Sequence, residues 1–267
     1  MRFVKRFFAM LLTVVILAAS LVSCGTVDDI AAIEKAGKIV VGITNYEPMD
    51  FKAEGSDKWI GFDAELAEQF AATLGVECVF FEIVDWNNKV ADLNSKEIDL
   101  VWNGMTASDK LGKQIDFSTA YAKNAQVVVV KKGSTITKDN LASLSIAVEN
   151  GSAGASVADE IIKPVAVNKV KSQRFALNEV IAGTSDAAVI DLTMAQSLLG
   201  KGEFSDLVLV EGAQYSDEVF AVGLRKGSNL VEKLNAFLAE KYEDGTMDAL
   251  SAKYNDAIVI NKDAFAK

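Results

Sequence analysis

The chain of 267 residues contains no histidine. That removes the commonest general base and metal ligand, and with it Ser-His-Asp and Cys-His nucleophile schemes. Cysteine is nearly absent too: Cys24 and Cys78 are too few for a disulfide framework. Val-Glu-Cys78-Val-Phe-Phe reads as a strand, so Cys78 is expected as a buried thiol. Basic residues are in deficit, with 27 Lys and Arg against 37 Asp and Glu, a net charge of −10. So acidic a chain argues against nucleic acid or anionic lipid as a partner, although solubility alone accounts for acidity equally well. The apolar run from Phe7 to Ala19 is broken only by Thr13 and is shorter than the ~20 residues a membrane span needs.

That short run is the first informative feature present. Arg2, Lys5 and Arg6 precede it and Leu21-Val22-Ser23-Cys24 follows it. A basic start, a short apolar stretch and a small-residue site make a secretory signal. Ending the signal on cysteine resembles a bacterial lipobox. The resemblance implies a diacylglycerol on the thiol of Cys24 and cleavage that leaves Cys24 first; the alternative is an ordinary signal with a chance cysteine. The expected organisation is a signal peptide over 1–23 and a lipidated tether with a short helix over 24–37. The protein is then extracytoplasmic and lipid-anchored to the cell membrane. Losing Arg2, Lys5 and Arg6 takes the formal charge from −10 to −13. The residues left are enough for one large or two small domains.

Periodicity sorts the remainder. Thr26 to Ala36 is expected as a helix capped by Thr26 and ended by Gly37. Lys38 to Ile43 is a short apolar run between glycines, which suits a buried strand. Gly61 opens an amphipathic helix with Leu66, Phe70 and Leu74 on one face. Strand, helix and strand follow over 76–84, 88–95 and 98–102. The grammar restarts after Val130, with strands over 144–148, 165–170 and 186–190, and helices after Ser152 and around Phe175 to Ile181. Another strand is expected over 219–224, and helices over 230–241 and 247–254. Such alternation predicts largely parallel sheets covered on both faces. Two units match: Asp99-Leu-Val-Trp-Asn103 and Asp186-Ala-Ala-Val-Ile-Asp191. Each places a polar group beyond the carboxyl end of a strand, where open α/β sheets bind ligands.

Four stretches in this order and spacing carry a family resemblance. They are Gly42 to Phe51, Gly61-Phe62-Asp63-Ala64-Glu65-Leu66-Ala67, Ile98 to Tyr121 with Asn103-Gly104-Met105-Thr106, and Val148 to Gly154 with Asp186 to Asp191. Together they resemble the polar amino acid-binding family (family 3) of solute-binding proteins that serve ABC importers. The resemblance implies a bilobed α/β fold of the type II periplasmic-binding-protein class, with two lobes joined by a two-stranded hinge. Lobe one would be 38–125 plus 219–267, and lobe two 126–218. It also implies an amino acid of the polar class as ligand, ABC permease subunits as partners, a monomeric state, and no cofactor, metal or nucleic acid.

Residues follow from the same resemblance. Tyr46 and Trp86 are expected to clamp the apolar part of the ligand, or else only to pack their lobe. Asp191 would hold the α-ammonium, or instead cap the following helix. Asn103, Gly104, Met105 and Thr106 would line lobe one, with Gly104 and Thr106 adding a carbonyl and a hydroxyl. Gly151, Ser152 and Ala153 would offer free backbone N–H groups to the carboxylate; Ala153 stands where many relatives carry a hydroxyl. Trp102 is expected at the cleft. The arginine that relatives place on the carboxylate is Leu111 here. Lys110 or Arg174 would then take its place, or the ligand is not a plain α-amino acid. Two other readings stand beside importer delivery: a sensor or orphan binding lipoprotein, and a dehydratase-like enzyme on the same fold. Against the enzyme, the sequence offers no acid expected to converge with Asp191.

Overall fold

A computed structural model describes residues 27–266. The signal segment, Cys24 and Thr26 lie outside it. The helix Asp29–Ala36 is capped by Asp28, whose side chain accepts the Ala31 N–H at 3.1 Å, and ends at Gly37 with φ 68°.

Two five-strand paths hold the molecule. In the first sheet the order is Glu77–Glu82, Lys38–Ile43, Leu100–Val101, Gly223–Leu224, Asp116–Phe117. In the second it is Leu207–Phe220, Ala122–Lys131, Ala187–Asp191, Ser145–Glu149, Ala166–Val170. Three neighbouring strands of each sheet run parallel. The others are antiparallel, which the sequence alternation did not predict. The cause is the route of the chain: Ala122–Lys131 and Leu207–Phe220 carry it between the sheets and pair with each other, Glu218 opposite Asn124 and Phe220 opposite Ala122. The fold is bilobed α/β, one sheet to each lobe.

Apolar periodicity explains the packing. The helix Phe62–Thr73 buries Phe62, Leu66 and Phe70 at 0–1% exposure, and each such side chain contributes about 1.5–3 kcal/mol. Trp102 is a correction to the expectation. It is fully buried, with its ring 6.4 Å from that of Phe70 and 6.5 Å from those of Tyr121 and Phe237. Alternation along the strand puts Trp102 on the same face as Leu100, and that face meets the helix layer rather than the cleft.

Candidate functional site

The carboxyl ends of both sets of parallel strands open on one cavity of about 590 Å³ between the lobes. Its size is that of a small-molecule site. Tyr46, Trp86, Gly104, Thr106 and Lys110 line it from lobe one, and Glu149, Gly151, Ser152, Ala153 and Asp191 from lobe two. The lobes are in contact around it. Gly151 adopts φ +72°, and a Cβ there would stand 2.9 Å from the Cα of Asn87 on the facing lobe. Glycine is needed at this point both for its backbone and for the closeness of approach.

Lobe two supplies an arc of carboxylates. Asp191 is 5% exposed at the end of a fully buried strand. Its Oδ1 accepts from Asn124 Nδ2 and Gln126 Nε2, both at 2.6 Å, and its Oδ2 accepts from Gln173 Nε2. It makes no side-chain cap to the helix Leu192–Leu198, because those three amides already hold it facing the cavity. The amides of Gln126 and Asn124 also reach Glu218 Oε2, at 2.9 and 3.2 Å. Burial, and then the charge of Glu218, push the Asp191 carboxyl up to about 6. Glu149 ends its own strand in the same way, and burial with the charge of Asp191 pushes it up to about 8. Acids therefore do converge with Asp191, contrary to the sequence expectation. Glu149 carries the same signature as Asp191, a charged residue closing an apolar strand, and was missed. Glu218 lay in the expected crossing and became visible only through its pairing with Asn124.

Lobe one supplies the aromatic wall. Tyr46 is 3% exposed and packs edge-on to Phe220 at 6.4 Å, with its hydroxyl close enough to Asp191 to feel it. Burial and the charge of Asp191 across the cleft hold this phenol well above its usual range. Trp86 opens a short turn capped by Asp85 and is 7% exposed. Thr106 Oγ1 donates to Glu218 Oε2 at 3.0 Å, so its hydroxyl joins the hinge network.

Several expected ligand groups are already engaged within the protein. Asn103 donates to the Thr44 carbonyl at 3.1 Å and Asp50 Oδ2 at 2.7 Å, and accepts from Thr44 Oγ1 at 2.6 Å. Its side chain braces the loop and has no donor left for a ligand. Met105 is 1% exposed, its side chain packed with Ile83, Leu93 and Ile115. Ser152 Oγ caps Ala155 N–H at 3.0 Å and the Ser152 N–H reaches the Glu149 carbonyl at 3.2 Å, so two groups of that turn are not free. Arg174 is a clear correction. It pairs with Glu203, lies 4.9 Å over the Phe204 ring, and does not line the cavity. Sequence also missed Lys89, a buried lysine of the cavity wall.

Behind Gly104 lie two fully buried acids. Asp63 accepts from Gly104 N–H at 2.6 Å and the Tyr121 hydroxyl at 2.7 Å; burial nevertheless pushes it up to about 7. Asp50 is raised by burial and by the charge of Asp63. Asp50 Oδ1 has no hydrogen-bond partner among the described residues, and the Trp102 indole N–H is the neighbour that Asp63 has besides Gly104 and Tyr121. A carboxyl raised in the fold binds its proton more tightly than the unfolded chain does. Its stability contribution is present in acid and is lost as pH rises through the folded value. Asp191 and Glu149 share that sign. The ligand-free protein is therefore expected to melt at a higher temperature at about pH 5 than at about pH 8, with Asp63→Asn flattening the difference. Differential scanning calorimetry checks this; a melting point that climbs with pH contradicts it.

Comparison with known proteins agrees with this geometry. The family model for bacterial extracellular solute-binding proteins, family 3, matches residues 39–257. The L-cystine-binding protein TcyJ of Escherichia coli (strain K12) is 33% identical over 232 residues, covering 85% of this chain and 86% of the relative. Among solved structures, an ABC uptake transporter substrate-binding protein from Streptococcus pneumoniae with bound histidine superposes with a TM-score of 0.81 at 29% identity, covering 89% of this chain and all of the other. The ancestral amino acid-binding protein AncCDT-1, a precursor of cyclohexadienyl dehydratase, gives a TM-score of 0.77 at 28% identity, over 85% of this chain and 99% of the other. The chain belongs to the bacterial extracellular solute-binding proteins, family 3.

Proposed function

We propose that the protein binds an amino acid in the interlobe cavity and delivers it to the permease of an ABC importer. Asp191 carries the reading. It is a buried carboxylate held by three neutral amides, in no salt bridge among the described residues, on the wall of a cavity of ligand size. An ammonium is the group that such a site lacks. Tyr46 and Trp86 add the aromatic surface for an apolar stem. The names of the relatives support the class: one binds L-cystine, and another structure holds histidine.

Ligand touches both lobes only when they are shut, so binding shifts an open–closed equilibrium and presents a closed face to the permease. Lipidation at Cys24 belongs to the same reading: the anchor holds the protein near its permease and raises its effective concentration there. Hydrocarbon burial, about 0.8 kcal/mol per CH₂, supplies the attachment that an acidic surface does not.

The test is a thermal-shift screen of the standard amino acids and L-cystine, followed by tryptophan emission. Trp86, at the cavity, is the expected reporter, and Trp102 should stay silent. A binder at a hundred times its Kd stabilises the fold by about 2.7 kcal/mol. No shift with any of these compounds, and no change of emission, defeats the amino-acid reading.

A further inference from the structure

The amino-acid reading calls for a partner to a ligand carboxylate, and where the family resemblance implies an arginine this chain has Leu111. That side chain packs into the apolar cluster of Ile83, Trp86, Leu93 and Met105, so it completes a wall and brings no charge. We propose that Lys89 is the anion site of this cleft: its ammonium receives the ligand's carboxylate, on a helix different from the one that carries Leu111. The proposal rests on the amino-acid reading above.

Lys89 begins the helix Lys89–Asn94 and is 5% exposed on the cavity wall. Its Nζ donates to two carbonyls, Trp86 O and Gly151 O, each at 3.1 Å. An ammonium has three N–H donors, so one remains. Among the described residues no carboxylate forms a salt bridge with it, although eleven such bridges occur elsewhere. A buried cation without a contacting anion is costly, and a ligand carboxylate offsets that cost. Nζ also sits 4.8 Å from the centre of the Trp86 ring, beside the proposed aromatic clamp.

Its placement links anion binding to closure. The side chain is rooted in lobe one and bonds Gly151 in lobe two, where a Cβ on Gly151 would stand 2.9 Å from the Cα of Asn87. An open cleft would separate Nζ from Gly151 O. The charged neighbours are Glu149 from lobe two, Asp85 from the preceding turn and Lys110 from the helix Asp109–Gly112. Burial pushes Lys89 down to about 8, partly opposed by the two acids. Glu149 feels the charge of both Lys89 and Asp191, so the proposed anion and cation sites lie within electrostatic reach of one carboxyl.

The test is calorimetric titration of wild type, Lys89→Met and Lys89→Arg with each standard L-amino acid and L-cystine. The second probe is the carboxamide of the tightest binder. Lys89→Met is expected to weaken the amino acid at least about tenfold more than it weakens the amide, as for a charge-assisted bond, because loss of the Gly151 contact falls on both ligands alike. Lys89→Arg should retain most of the affinity. Near pH 8, wild type should take up protons on binding the amino acid, because a bound anion raises the Lys89 pKa; Lys89→Met isolates this from the titration of Glu149. Equal affinity of wild type and Lys89→Met, or equal weakening of acid and amide, overturns the proposal and leaves the amino-acid reading intact. No binding of any compound to wild type defeats both. Should Lys89→Met fail to fold, wild type alone decides: an amide as tight as its acid, with no proton uptake, overturns the proposal.

Discussion

Asp191→Asn is expected to lower amino-acid affinity by about a hundredfold or more while leaving the fold intact. Removing one partner of a buried, hydrogen-bonded charge pair costs about 2–5 kcal/mol of binding. Asparagine keeps the shape and one acceptor oxygen for Asn124 and Gln126, both now at 2.6 Å from Asp191 Oδ1, but its amide nitrogen would face Gln173 Nε2, so that bond is given up. What it removes is the charge, which in the empty cavity is opposed by burial and by Glu218. Relief of the buried charge and loss of the Gln173 bond oppose each other, so stability without ligand near neutral pH should change much less than affinity does. The pH profile carries a second signature. Burial and the charge of Glu218 push Asp191 up to about 6, and a bound ammonium keeps it ionised. Below that value a proton competes with ligand, so wild-type affinity should weaken as pH falls and the Asn variant should lack this limb. Titration calorimetry at several pH values reads both effects. Unchanged affinity in Asp191→Asn would remove Asp191 from the site.

Local pattern made the elements and the strand ends legible. Asp191 closes an apolar strand, Trp86 follows Asp85, and Gly151 precedes a helix; all three line the cavity. Long-range pairing was not legible. Asn103 looked like a ligand group because it also follows a strand, yet Thr44 and Asp50, 59 and 53 residues away, take up its amide. Arg174 looked like the spare cation of lobe two, but Glu203 claims it across the surface. Lys89 was hidden for the opposite reason. Lysine on a helix usually points to water, and only the closure of Gly151 against the turn at Asn87 makes this one an interior group.

Arg225→Met is expected to lower stability by about 3–5 kcal/mol, the cost of breaking a buried ion pair on one side. The guanidinium is 6% exposed just after the strand Gly223–Leu224. It donates to Asp29 Oδ1 at 2.8 Å, to Asp99 Oδ1 at 3.1 Å, and to the carbonyls of Leu93 and Ile98 at 3.0 and 2.7 Å. Asp29 is 1% exposed, so without Arg225 its carboxylate is left in the interior with no counter-charge. Asp99 suffers less, because its Oδ2 still accepts the Val40 N–H at 2.9 Å. Lysine restores a point charge without the fork that reaches two acids and two carbonyls together, so Arg225→Lys should recover only part of the loss. Asp29→Leu combined with Arg225→Met should recover more than either single change predicts, since it removes the stranded charge itself. Calorimetric melting of wild type, Arg225→Met, Arg225→Lys, Asp29→Leu and the double variant checks this, and equal melting points in wild type and Arg225→Met would refute it. None of these residues lines the cavity, so amino-acid affinity measured below the melting transition should stay at the wild-type value. That separates the clip between the helix Asp29–Ala36 and lobe one from the ligand chemistry at the opposite ends of the strands.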